Sequence, residues 1–550
     1  MKFVAKIKPA LQPFEMGLAI EELSSLADVP ESEITDMQLG GLFYFESDVD
    51  KGMLLDNLAY WSAIKTDSSD YTKQIRLELG LGSGESPERI PRRRVLRYGV
   101  HDLHEYRGKF FPQLVASLLN ISKINPSSTV LDPFCGSGTT LVEAISHGHD
   151  AAGVDLNPLS VMISSTKAAL VSERLSDDLF SMLEDDLNDH SERDPANEWP
   201  SEDLHYLEKW FDPEALREIA AIRAAIGGMK GIDADFSRAV LSDQLRSVSW
   251  QKDVDLRVHK DPSKVYSPGT LTRRFLDGIL SQQEKIAPYQ RLQSGYRLGR
   301  TRIVQGNTLD IEALLPRCTG SFDALITSPP YATALPYLDT DRLSLVSLCS
   351  VPRSRFPELN RQMIGNREVT EKQRQELWQG YMSRRGDLPE AVTAIIDRID
   401  GHNSTNSVGF RRRNLPALLS KYFLDMRDSM EASYNMLKNG STSFYVVGNN
   451  STKIGEETIV IPTDRILWEI GKSIGYEPVR TIDMELIQSR DIFKDNRGSA
   501  ETILVFKKVS RWKERRYIPK KTRWISATNG ISTIAWRRTA CIPYILTRPG

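Results

Sequence analysis

From about residue 128 onward, short apolar runs end in Gly-bearing turns and give way to stretches with helical spacing. That grammar predicts buried parallel strands joined by helices, the alternation of an α/β sheet. The predicted strands are Thr129–Leu131, Ala151–Val154, Arg302–Val304, Ala324–Ile326, Thr442–Val447 and Thr502–Phe506. Upstream the pattern is different. Phe3 to Ile7 and Gly41 to Phe45 read as strands, and Leu18 to Leu26 as a helix. The Gly/Ser/Pro stretch 80–91 predicts a linker, and a domain boundary is placed there.

Between the second and third predicted strands lie nearly 150 residues, too many for a loop in a compact domain. Their spacing is helical. Asp212, Pro213 and Glu214 make an N-cap, a proline at the first helical position and an acid in the first turn. Leu216, Ile219, Ile222 and Ile226 follow at helical intervals, and Gly227-Gly228 stops the run. Phe236 to Trp250 predicts a second helix. A second insertion follows the fourth strand. The expected division is an α+β N-terminal domain (1–85), a sheet domain in three parts (86–170, 301–350, 416–508), insertions at 171–300 and 351–415, and a basic tail (509–550).

Composition narrows the class. At 550 residues with 40% hydrophobic content, the chain can bury a sizeable core. The 71 basic and 73 acidic residues nearly cancel, so no global field announces a nucleic acid. The charge is unevenly spread. Residues 177–203 hold eleven acids against Arg193 alone, whereas 509–550 hold ten bases against Glu514 together with Trp512, Trp524 and Trp536. Arg92–Arg94 with Arg97, and Arg411–Arg413, are further basic knots, the way a nucleic-acid groove looks in sequence. Solvated surface is the competing reading for each. Cys135, Cys318, Cys349 and Cys541 show neither disulfide density nor metal spacing. Without an apolar leader or spanning stretch, the expectation is a soluble, cytoplasmic protein with no membrane partner.

The densest local signal is Val130-Leu131-Asp132-Pro133-Phe134-Cys135-Gly136-Ser137-Gly138-Thr139-Thr140, a strand running through a glycine turn into a helix that carries Glu143. Backbone at such a turn can approach a ligand closely. No P-loop lysine follows, which argues against triphosphate hydrolysis. After the second strand comes Asp155, placed to bind the hydroxyls of an adenosine ribose. The pair fits NAD or S-adenosylmethionine. The fourth strand arbitrates, because it ends in Thr327-Ser328-Pro329-Pro330-Tyr331. An exocyclic amine is delocalised into its ring and is a poor nucleophile until that conjugation weakens. Acceptors on Ser328 and the Pro329 carbonyl can hold its N–H groups, prolines stiffen the turn, and Tyr331 offers a stacking face. No cysteine follows a proline, so methylation at cytosine C5 is set aside.

Asp132–Thr140 together with Thr327–Tyr331 resembles the amino-methyltransferases of DNA, and Ser-Pro-Pro-Tyr is similar to the cytosine-N4 branch. The adenine-N6 branch more often carries Asp or Asn at the position of Ser328. His104–Pro112 resembles the family segment that closes the methionine end of the cofactor. The likeness covers 101–170 and 301–345 well, and 415–508 in outline. It implies a Rossmann-like S-adenosylmethionine-dependent methyltransferase fold with helical insertions. It also implies Phe110, Pro112, Asp132, Pro133, Phe134, Gly136, Gly138, Thr139, Asp155 and Asn307 at the cofactor, and Ser328, Pro329, Pro330 and Tyr331 at the target base. Asn307 stands where the family usually has an acid. S-adenosyl-L-methionine is the implied cofactor, with no metal. The implied partner is double-stranded DNA, with a separate restriction endonuclease as family habit.

Alternatives stay open. Phe14 to Leu26, with Leu58-Ala59-Tyr60, resembles the N-terminal region of tRNA guanosine-N2 methyltransferases, although those more often show Asp-Pro-Pro-Tyr-Gly. Adenine N6 is a second alternative, and an inactive nucleic-acid-binding module a third. A base in a duplex must flip to be methylated. The insertions are the expected target readers, the acidic 177–203 segment being a poor surface for DNA.

Overall fold

The computed structural model describes residues 1–509 except 83–84, 86–89, 107, 109–110, 190–192, 253–258, 333–336, 367–368, 455 and 485–500. Residues 510–550, and with them nearly all of the basic tail, lie outside the described residues.

Two sheets organise the chain. The first comprises β1 (Lys2–Ile7), β2 (Thr35–Asp36), β3 (Leu42–Glu46), β4 (Trp61–Lys65) and β5 (Ser69–Tyr71), in the order β2-β3-β1-β4-β5. All its pairings are antiparallel, with β1 held between β3 and β4. Alternation in β1 sends Phe3, Ala5 and Ile7 inward. The helix Pro13–Ala27 packs on the helix Pro112–Ile121, so a single apolar cluster runs from Phe3 and Trp61 to Leu114 and Val130.

The second sheet has seven strands: β6 (Thr129–Asp132), β7 (Asp150–Asp155), β8 (Thr301–Gln305), β9 (Phe322–Thr327), β10 (Leu437–Gly448), β13 (Tyr476–Met484) and β14 (Glu501–Lys508). A separate ribbon pairs β11 (Asn450–Ile454) with β12 (Glu457–Ile461). The large sheet runs β13-β14-β10-β9-β6-β7-β8. From β10 to β8 every pairing is parallel, and β14 inserts antiparallel between β10 and β13. Each of the six strands predicted for this sheet lies within an observed one. The pattern did not reveal β13, because Glu477, Arg480 and Asp483 interrupt its apolar residues on an edge strand.

The order reverses between β6 and β9: the chain leaves β6 toward β7 and β8, then returns to β9 on the other side. Such a switch opens a crevice beyond the carboxyl ends of the strands. Five helices from Leu179 to Gln293 fill most of the connection between β7 and β8. Asp212 caps one of them as expected, its carboxylate accepting from the Glu214 N–H at 3.0 Å. Between β9 and β10 run Tyr337–Ser347, Phe356–Gln362, Glu371–Arg384, Glu390–Thr405 and the 27-residue helix Phe410–Met436.

Candidate active site

At the crevice, β6 ends in Asp132 and turns through Pro133–Gly138 into the helix Thr139–Ser146. Gly138 has φ +83°, and a Cβ there would stand 2.7 Å from Ser164 Cβ. Only glycine allows both the turn and the close approach of the helix Pro158–Ala169. Gly136 (φ +48°) donates its N–H to Asp155 Oδ2 at 2.9 Å, and Asn157 N–H donates to Asp155 Oδ1 at 2.8 Å. Burial pushes the Asp155 carboxyl up to about 6, against these hydrogen bonds, which favour its charged form.

These elements border a cavity of about 380 Å³, within the range of small-molecule sites. Its lining brings together Pro133, Phe134, Gly136, Asp155, Asn307, Ser328, Pro329, Pro330 and Tyr331 from the expected residues. Asp132, Gly138 and Thr139 stand behind the wall. Asp132 is buried and accepts from Thr327 Oγ at 2.7 Å and Phe134 N–H at 3.1 Å, tying β6 to the residue before Ser328. Burial pushes its carboxyl up to about 6 as well. Pro112 is the first residue of its helix, beneath the lining, where Phe111 shows instead. Phe110 lies outside the described residues. Asn307 Oδ1 accepts from Leu309 N–H at 3.1 Å, capping a short helical turn at the tip of β8.

Further residues line or seat the site, Tyr106 from within the His104–Pro112 segment and the rest without a local signal in the sequence. Tyr106 lines the cavity, donates to or accepts from Ser160 Oγ at 2.8 Å, and covers Gly136. Tyr422 donates to the Pro330 carbonyl at 2.9 Å, and Tyr331 donates to Glu501 Oε1 at 2.5 Å. Gln362, Met363 and Ile364 add a wall from the second insertion, where Lys421 donates to the Met363 carbonyl at 3.0 Å. Tyr422 lies in the helix Phe410–Met436, and Glu501 opens a strand. Each meets the Pro-Pro-Tyr segment only through the tertiary fold.

Glu143 is buried in the helix that follows the glycine turn, and His101 Nε2 lies 2.6 Å from its Oε1. That contact pins the segment leading to Tyr106 onto the same helix. His104 Nε2 lies 2.9 Å from Ser242 Oγ of the first insertion. Cys135 is buried and its thiol is pushed well up by burial, the opposite of an activated nucleophile. Among the described residues no group of three or more His, Cys, Asp or Glu could hold a metal ion. No helix among them is long and apolar enough to cross a membrane.

The donor set can be tested against a cofactor. Asp155 places carboxylate oxygens on the cavity wall and the Gly136 turn exposes backbone beside it. A cationic sulfonium suits such a wall. The sheet order and the switch-point cavity are those of a Rossmann-like S-adenosylmethionine-dependent methyltransferase fold.

Residues 83–165 match a DNA methylase family that spans N6 and N4 methyltransferases. The type II methyltransferase M.MvaI of Kocuria varians is 24% identical over 389 residues, 68% of this chain and 81% of that protein. M.BsoBI, a type II methyltransferase of Geobacillus stearothermophilus, is 21% identical over 456 residues, 76% of this chain and 86% of that one. Among solved structures, TrmN from Thermus thermophilus aligns with TM-score 0.33 and 10% identity, covering 92% of this chain and all of that one (100%). In motifs and in sequence relatives, the chain resembles the DNA amino-methyltransferase family.

Proposed function

We propose that this protein methylates an exocyclic amine of DNA, and that the amine is N4 of cytosine in a duplex, within a restriction–modification system. One observation carries the reading: the Ser328–Tyr331 segment and the Gly136–Asp155–Asn307 group line the same cavity. When bound, S-adenosylmethionine supplies an electrophilic methyl group. Asp155 would hold its ribose, Pro133, Phe134 and Gly136 its flank, and Asn307 its adenine end. Ser328 Oγ and the Pro329 carbonyl accept the two N–H groups of the target amine and favour a more tetrahedral nitrogen. The Tyr331 ring stacks on the base. Placement in line and preorganised acceptors supply most of the rate gain.

The serine of Ser328–Tyr331 supports cytosine over adenine. A type II methyltransferase relationship supports DNA as substrate, and a separate endonuclease as partner. The insertions 171–300 and 351–415 are the elements we assign to target reading. The test incubates the protein with methyl-labelled S-adenosylmethionine, unmodified duplex DNA and bulk tRNA in parallel, followed by nucleoside mass spectrometry. N4-methylcytosine is expected, and Ser328→Ala is expected to reduce its formation by about 100-fold while leaving cofactor binding intact. N6-methyladenine, or methyl on a tRNA guanine, would replace the cytosine reading. Undiminished activity in Ser328→Ala would remove the mechanism.

A further inference from the structure

Tyr331 is seated by a strand 170 positions further along the chain, through its 2.5 Å hydrogen bond to Glu501 at the start of β14. Across the β10–β14 ladder, Glu501 stands directly opposite Gly448. A Cβ on Gly448 would lie 2.7 Å from Tyr331 Cε2 and 3.0 Å from its Cδ2, so the ring rests against bare backbone. One rung of the sheet therefore carries both halves of a seat, a glycine under the ring and a carboxylate at the hydroxyl. Gly365 (φ +81°) approaches the backbone of the same segment, where a Cβ would come within 3.2 Å of the Tyr331 carbonyl. Glu501 and Tyr331 both line the cavity.

We propose that Glu501 is a positioning residue for methyl transfer, holding the Tyr331 ring at the angle on which the target base stacks, with Gly448 as the surface beneath it. The proposal rests on the amino-methyltransferase reading above. A ring gripped at its hydroxyl and against its body cannot swing about χ1, so the base meets a surface already in place. Donation to a carboxylate also leaves the phenol richer in electron density. The face toward the base is then better suited to an amine that gains positive charge as the methyl arrives.

The test compares Glu501→Ala, Glu501→Gln, Tyr331→Phe and the Glu501→Ala/Tyr331→Phe double variant, with labelled S-adenosylmethionine and unmodified duplex DNA. Glu501→Ala is expected to lower kcat about 10-fold while KM for DNA moves less than about 3-fold. Cofactor affinity and melting temperature should stay unchanged. Glu501→Gln keeps an acceptor oxygen and should recover most of the loss. The double variant should be no worse than either single one, because both remove the same contact. Gly448→Ala, which displaces the ring from the other side, should reproduce the kcat defect. Wild-type kcat in Glu501→Ala, losses that multiply in the double variant, or a loss matched by weaker cofactor binding would each overturn the proposal. No transfer by the wild-type protein to any nucleic acid would overturn the underlying reading, and the proposal with it.

Discussion

Asp155 accepts from two backbone N–H groups, yet burial pushes its carboxyl up to about 6. A ribose-binding role, and attraction of a cationic cofactor, need the ionised form. Below about pH 6 the proton returns, so affinity for S-adenosylmethionine should fall toward tenfold per pH unit. Titration calorimetry between pH 5 and 8 would show this. Asp155→Asn should bind about 10-fold more weakly at pH 8 with a flatter profile. Asp132 titrates in the same range, also pushed up to about 6, and faces Thr327. A profile unchanged by Asp155→Asn would shift the pH dependence to Asp132. Asp132 illustrates how far a motif carries at this scale. Its local sequence suggests a ligand, whereas its position behind the cavity wall depends on Thr327, 195 residues away.

The helix Phe410–Met436 links two ends of the site. Tyr422 reaches the Pro330 carbonyl, Lys421 the Met363 carbonyl and Asn414 the Val369 carbonyl. At its start lie Phe410, 53% exposed, and the bases Arg411–Arg413. At 1.5 Å per residue the bases sit roughly 15 Å from Tyr422, and under the proposed function they are candidates for phosphate contact. In the Arg92–Arg94 knot, Arg94 pairs with Glu15 and stacks over Phe111, contacts that only the packing reveals. Replacing Arg411 and Arg413 by Ala should raise KM for duplex DNA about 10-fold and lower the salt-dependence slope by about 2, with cofactor binding unchanged. A KM and slope equal to wild type would clear this helix of phosphate contact.

Across the whole molecule, the N-terminal sheet and the large sheet meet through buried polar groups as well as apolar ones. Lys73 donates to the Ser146 carbonyl at 2.9 Å, at the end of the helix that begins at the glycine turn. Glu22 is fully buried between the two units, accepting from Ala59 N–H and, at 3.2 Å, from Asn120 Nδ2. Burial raises it from 4.5 to about 7. The folded state therefore holds this proton more tightly than the unfolded chain. Its contribution to stability is fully present below about pH 4.5 and is lost as pH rises through 7. Glu22→Gln cannot ionise. It should match wild type within about 1 kcal/mol at pH 4.5 and exceed it by on the order of 2 kcal/mol at pH 8, as denaturant titrations at the two pH values would show. An equal difference at both would exclude Glu22 as the source.

The sequence by itself determined what depends on neighbours in the chain. The apolar runs that become β6 to β10 and β14, the Asp212 cap, the Gly136–Gly138 turn and the Ser-Pro-Pro-Tyr segment are all set by local backbone preference and hydrophobic period. Only the tertiary structure decided which elements share a wall. Strand order at the switch between β6 and β9 brings Asp155, Asn307 and Ser328 to one cavity, and the β10–β14 register brings Glu501 and Gly448 under Tyr331. Contacts between residues more than a hundred positions apart leave no period and no local composition to read, because they are created by the sheet closing rather than by the chain turning.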